Sequence, residues 1–162
     1  MNVLYFIGML LTQAWAGEGT QRYAPQFILS SFNNQTLTSR FGFSEIRLSQ
    51  LVGYNSQKKV HKVFLILGDQ KTVESDIKSL KKIYNSAKKQ KIEFVYLLTP
   101  TSGLSKIIRR LNPEFPVLKD PFQVVRNRYE YLKPQFCYVI DVHGKLESQG
   151  CSDINDIKSM IR

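Results

Sequence analysis

Two cysteines, Cys137 and Cys151, and two histidines, His61 and His143, are the side chains through which this chain could do thiol or transition-metal chemistry. The cysteines do not form a Cys-x-x-Cys pair. Cys137 lies inside the apolar run QFCYVI, where a small buried thiol is common, and Cys151 follows Gly150 where a last helical segment begins. If the turn DVHGK sets Ile140 opposite Lys145, Cys137 faces Ser148 and Cys151 lies three residues further on. Three strand residues span roughly 10 Å, whereas bridged Cα atoms lie within about 7 Å. The expectation is therefore two separate thiols, Cys137 structural and Cys151 exposed; a disulfide needs the chain to bend back after Gly150. In a thiol reaction Cys151 or Cys137 would be the nucleophile, and Cys151 has a helix start, which favours a thiolate, but no local Arg. His61 belongs to a strand edge and His143 to a turn. No metal or other cofactor is expected.

The elements that must position these groups are legible in the hydrophobic periods. Pro25 to Phe32, closed by Asn33 and Asn34 and resumed at Thr36 to Thr38, reads as a small β-hairpin. Ile46, Leu48 and Leu51 follow, then a loop rich in Gly, Asn, Ser and Lys. Val60 to Leu67 and Ile92 to Leu98 are nearly continuous apolar runs, the mark of strands buried on both faces. Between them Val73, Ile77, Leu80, Tyr84 and Ala87 recur at helical spacing, with Lys78, Lys81 and Lys82 on the other side. A shorter helix carries Leu104, Ile107, Ile108 and Leu111. Asp120 and Pro121 then predict a helix start, with Phe122, Val125 and Tyr129 inward. A second hairpin from Pro134 through Leu146 and a last helix, capped by Ser152 and burying Ile154, Ile157 and Ile161, complete a mixed sheet covered by helices on both faces.

The N-terminus reads as a processing signal. Val3 to Leu11 is almost wholly apolar, and Ala14 and Ala16 place small residues where a signal peptidase needs them. The run falls short of the roughly 20 apolar residues of a membrane span. Residues 1–16 are thus expected to be a signal peptide and 17–162 a single domain, periplasmic or secreted after cleavage. Lys and Arg number 23 against 13 Asp and Glu, a net charge of +10, and none of these charges lies in the first 16 residues. An acidic partner or anionic surface suits such a chain. Export turns the expectation away from nucleic acid.

Phe115-Pro116, Asp120, Tyr129, Pro134, Ile140-Asp141 and Gly144-Lys145 occur in an order and spacing that resemble the C-terminal half of thioredoxin-like proteins of the peroxiredoxin and cytochrome-maturation types. The resemblance is weaker before Val60. It implies an α/β fold, the thioredoxin-like three-layer α/β/α sandwich with a mixed central sheet. It also implies a Cys-x-x-Cys pair or a lone peroxidatic Cys where the first core strand meets its helix, and there this chain reads Gly68-Asp69-Gln70-Lys71-Thr72. Asp69 or Thr72 is expected to cap that helix. Copper chaperones of the same fold add a His before the later strand, where Lys133-Pro134 stands here.

The expected function is accordingly a redox-inactive binding or structural module of the cell envelope, with another envelope protein or an extended peptide as partner. The resemblance implies a cis Lys133–Pro134 bond, and a groove formed by Lys133, Pro134 and the facing segment Gly68, Asp69, Gln70, Lys71 and Thr72. Lys78, Lys81 and Lys82 form a basic face. The alternative is a thiol oxidoreductase or peroxidase using Cys151 or Cys137.

Overall fold

The computed structural model describes residues 22–33, 35, 38, 39, 42, 44–52 and 60–161. The expected signal segment and its cut after Ala16 lie outside the described residues. The elements are β1 (Ile28–Ser30), β2 (Glu45–Arg47), α1 (Leu48–Leu51), β3 (Lys62–Leu67), α2 (Val73–Lys89), β4 (Ile92–Leu98), α3 (Leu104–Leu111), β5 (Val117–Lys119), α4 (Val124–Leu132), β6 (Cys137–Asp141) and α5 (Ile154–Met160). No helix among the described residues is long and apolar enough to cross a membrane.

The central sheet has the order β5-β4-β3-β6, with β3, β4 and β5 parallel and β6 antiparallel to β3. Successive side chains of a strand point to opposite faces, so the two apolar runs divide cleanly. Phe64 and Ile66 of β3 and Phe94, Tyr96 and Leu98 of β4 join the core under α2, α3 and α5. Val63, Leu65, Leu67, Val95 and Leu97 join the opposite core, with Phe27, Ile46, Leu48, Leu51 and Tyr129. The result is the expected three-layer sandwich. Helix α2 buries Val73, Ile77, Leu80, Tyr84 and Ala87, as its period predicts, and also Asp76.

The N-terminal hairpin is a correction. β1 pairs with β2, not with the residues just after Asn33 and Asn34; Thr36 and Leu37 lie outside the described residues. Asn33 is a clamp rather than a turn residue. Its side-chain amide donates to the carbonyls of Pro113 and Phe115, and its Oδ1 accepts from the Ser31 hydroxyl and from Val117 N–H.

Two helix starts also differ. Asp120 and Pro121 form a turn, and α4 begins only at Val124, after Gln123 in the left-handed region with φ 54°. The Asp120 carboxylate turns inward and accepts from Arg126 N–H at 2.9 Å. Phe122 therefore stands 82% exposed instead of buried, while Val125 and Tyr129 are buried as expected. At α5 the cap is Asp153, which accepts from Asn155 and Asp156 N–H. Ser152 instead donates its backbone N–H to the Asp156 carboxylate at 2.7 Å.

Candidate functional site

The segment Gly68–Thr72 joins β3 to α2, where a helix N-terminus could lower a thiol pKa. Asp69 accepts from Lys71 N–H through Oδ1 at 2.7 Å, which folds the turn locally. Thr72 occupies the N-cap position, but its hydroxyl donates to Asp76 Oδ2 at 2.7 Å rather than serving the helix N–H groups. The Tyr96 hydroxyl donates to the same oxygen at 2.8 Å. Burial pushes the Tyr96 phenol well above the usual tyrosine range, and the Asp76 and Asp69 carboxylates push it further. A Cβ on Gly68 would lie 2.2 Å from Tyr96 Cε1, so only glycine lets the ring fill this corner. The Arg126 guanidinium closes it from α4 by donating to the Gly68 carbonyl. Asp69, Gln70, Lys71 and Thr72 themselves are exposed.

Cys137 and Cys151 form a disulfide with Cα atoms 4.8 Å apart. This corrects the expectation of separate thiols. Ile140 pairs with Leu146 rather than Lys145, and Cys137 pairs with Cys151, so the return arm from Leu146 to Cys151 runs two residues longer than the stretch of β6 from Ile140 to Cys137 that it faces. The extra length lets the chain bulge at Ser148–Gly150 and come back, and Cys151 then exchanges backbone hydrogen bonds with Cys137. Gly150 permits the close approach, since a Cβ there would lie 2.7 Å from the Cys137 carbonyl oxygen and closer still to Gln135 Oε1. Neither sulfur residue is accessible; Cys137 is 0% and Cys151 1% exposed. Both are thereby removed as exposed nucleophiles.

No cis peptide bond occurs among the described residues, so the Lys133–Pro134 bond is trans. Lys133 ends α4 in an extended conformation, the one that a residue before proline prefers. Pro134 is exposed and lies three residues before β6 begins at Cys137. The cleft beside Pro134, about 620 Å³, is walled by Lys133, Gln135, Phe136, Gln149 and Gly150, and residues 68–72 take no part in it. The structure thus does not bring the two halves of the expected groove into one cleft.

Lys78, Lys81 and Lys82 are all exposed, but two of them are engaged. Lys78 pairs with Glu74 at 2.8 Å, and Lys81 donates to the Leu111 carbonyl of α3. His61 and His143 are exposed, and no group of three or more His, Cys, Asp or Glu among the described residues is arranged to hold a metal ion.

A feature that the sequence reading missed lies between β1 and α4. Phe27, Ile28 and Leu29 face Pro121, Phe122, Val124 and Val125 across a largely apolar cleft of about 790 Å³, with Arg47 and Arg128 at its borders. No local sequence pattern announces this cleft, which depends on the positive φ that Gln123 adopts and on α4 starting only at Val124.

No protein-family profile matches the sequence, and no curated protein matches it. Solved structures do match. The mitochondrial 2-Cys peroxiredoxin of Plasmodium falciparum superposes with TM-score 0.62 at 15% identity, over 87% of this chain and 90% of that one. A putative thiol:disulfide interchange protein DsbE from Chlorobium tepidum gives TM-score 0.62 at 17% identity, over 87% and 94%. A secreted Mycobacterium tuberculosis disulfide oxidoreductase homologous to E. coli DsbE gives 0.55 at 13%, over 84% and 94%. At such identities the shared property is the architecture, and the chain is a thioredoxin-like α/β/α sandwich.

Proposed function

We propose that this chain is a redox-inactive thioredoxin-like module that binds or scaffolds another protein of the cell envelope, periplasmic or secreted after removal of residues 1–16. The observation that carries the reading is the buried Cys137–Cys151 bridge, which takes up both cysteines of the sequence. A two-electron thiol enzyme needs an accessible thiolate. The corner where a helix N-terminus would generate one holds Gly68–Thr72, with Tyr96 and Asp76 packed beneath it. A bridge in a small domain also fits an oxidising compartment, in line with the apolar N-terminal run.

The test is a thiol titration of the purified protein under denaturing conditions, combined with peroxide-consumption and insulin-reduction assays. The expected result is no free thiol until reductant is added, and no turnover. Turnover abolished by Cys151→Ser would instead establish a thiol oxidoreductase or peroxidase.

A further inference from the structure

We propose that the cleft between β1 and α4 is a docking site for a short apolar segment of a partner protein flanked by Asp or Glu. The inference rests on the reading of the chain as a binding module and supplies the partner's chemistry.

The cleft exists because β1 meets two neighbours in turn. Phe32 N–H bonds to the Val117 carbonyl at 2.8 Å and Ser31 bridges Leu118, which fastens the end of β1 to β5. From Ser30 back to Ile28 the strand pairs with β2 instead. The opening this leaves beside the Asp120–Gln123 turn measures about 790 Å³, within the roughly 300–1,000 Å³ typical of ligand sites.

Its borders are unusually apolar for a surface. Of the six large hydrophobic side chains exposed among the described residues, three stand here: Ile28 at 54%, Phe122 at 82% and Val124 at 46%. Grouped exposure of this kind marks an interaction site, whereas scattered single residues do not. Phe122 is held out of the core by the left-handed Gln123 and by the inward turn of Asp120.

Charge selects the occupant. Arg47 and Arg128 are exposed at the cleft, and neither joins an ion pair among the described residues. The one acidic residue lining the cleft, Asp120, is 2% exposed and accepts from Arg126 N–H. Two uncompensated guanidinium groups beside an apolar cleft suit carboxylates beside an apolar anchor, since the guanidinium fork matches a carboxylate. A second copy would bring another chain of net charge +10 against these arginines. A lipid surface calls for a convex apolar face to bury, and this one is a cleft.

The probe is a phage-displayed library of random short peptides, selected on the intact protein, with the enriched peptides then titrated by fluorescence anisotropy. Wild type is compared with Phe122→Ser and with Arg47→Glu/Arg128→Glu, whose altered side chains are exposed and whose folding is checked by near-UV circular dichroism. Enriched peptides are expected to combine aliphatic or aromatic residues with Asp or Glu. Each variant is expected to weaken them by about tenfold or more, the arginine variant through the salt-sensitive part. No enrichment, enrichment without acidic bias, or equal binding to the variants overturns the proposal. So does Phe122-dependent binding of phosphatidylglycerol vesicles without peptide binding, or a Phe122-dependent dimer in sedimentation. Thiol turnover would end the binding-module reading whatever the peptides do, so the two failures are distinguishable.

Discussion

Tyr96 and Gly68 occupy one space. The ring of Tyr96 lies where a Gly68 side chain would begin, with Cε1, Cζ and the hydroxyl oxygen all within 2.6 Å of the ideal Cβ position. Its hydroxyl reaches past that point to the Asp76 carboxylate at 2.8 Å. The corner of the fold best placed for helix-assisted chemistry is in this protein packed by a buried aromatic ring and a hydrogen-bonded acid.

Gly68→Ala is expected to destabilise the protein by about 1–3 kcal/mol, the usual range for overpacking a filled site. In a Tyr96→Leu background the same change should cost less, because the obstructing ring is gone. Urea denaturation of the two single variants and the double variant measures the coupling. Equal penalties in both backgrounds would show that the two residues do not share the space.

Alkaline stability should depend on Tyr96. Its folded pKa is raised by burial and by Asp76, so its contribution is fully present below the unfolded tyrosine value of about 10 and declines as pH rises beyond it. Tyr129, raised by burial, acts in the same direction. Tyr96→Phe is expected to cost about 1–3 kcal/mol at neutral pH by leaving Asp76 with one donor fewer. It should also make the loss of stability above about pH 10 shallower. Urea midpoints measured across that interval decide it, and an unchanged slope would assign the effect to the other raised tyrosines, Tyr129 and Tyr138.

Reduction of the Cys137–Cys151 bridge, or Cys151→Ala, is expected to lower stability by about 3 kcal/mol, as for a loop of this length. Denaturation with and without reductant tests this. Gly150→Ala should also destabilise the oxidised protein, because the added carbon meets Gln135 and the Cys137 carbonyl.

Binding to an anionic surface through α2 should depend on Lys82 more than on its neighbours. Lys78 already pairs with Glu74, and Lys81 is tied to α3. Lys82→Glu is expected to weaken retention on a phosphate-bearing matrix in a salt-dependent way. Unchanged retention would make this a solvated face only.

The exported form is expected to begin at Gly17, with Ala14 and Ala16 in the peptidase subsites. Intact-mass spectrometry reads this directly, and a mass that includes residues 1–16 would place the protein at a membrane anchor.

The parts of the fold that could be read in advance are those with dense local periods. Phe64, Ile66 and their alternates on β3, and the Val73 to Ala87 stripe on α2, each announce a face within one element. The misread features depend on distant partners. Asp76 falls three residues after Val73 and four before Leu80, on the inner face of α2, and Thr72 and Tyr96 satisfy its buried carboxylate. The disulfide was obscured by a one-residue difference in hairpin register and by the bulge before Cys151, neither of which a local pattern encodes. An Asp-Pro pair can open a helix or a turn. Here the Asp120 carboxylate reaches past the turn to the Arg126 N–H in the first turn of α4, the helix starts only at Val124, and Phe122 stands at the cleft instead of in the core.

The first described residues are stitched to late parts of the chain. Leu146 N–H bonds to the Arg22 carbonyl, Ala24 N–H to the Gly144 carbonyl, and Tyr129 to the Pro25 carbonyl, while Asn33 holds Pro113, Phe115 and Val117. During vectorial synthesis the Asn33 clamp therefore lacks its partners until residues 113–117 have emerged, and Arg22 and Ala24 lack theirs until residues 144–146 have. Closing such long loops is entropically unfavourable early, so the first described residues wait without these partners until late in the chain's elongation.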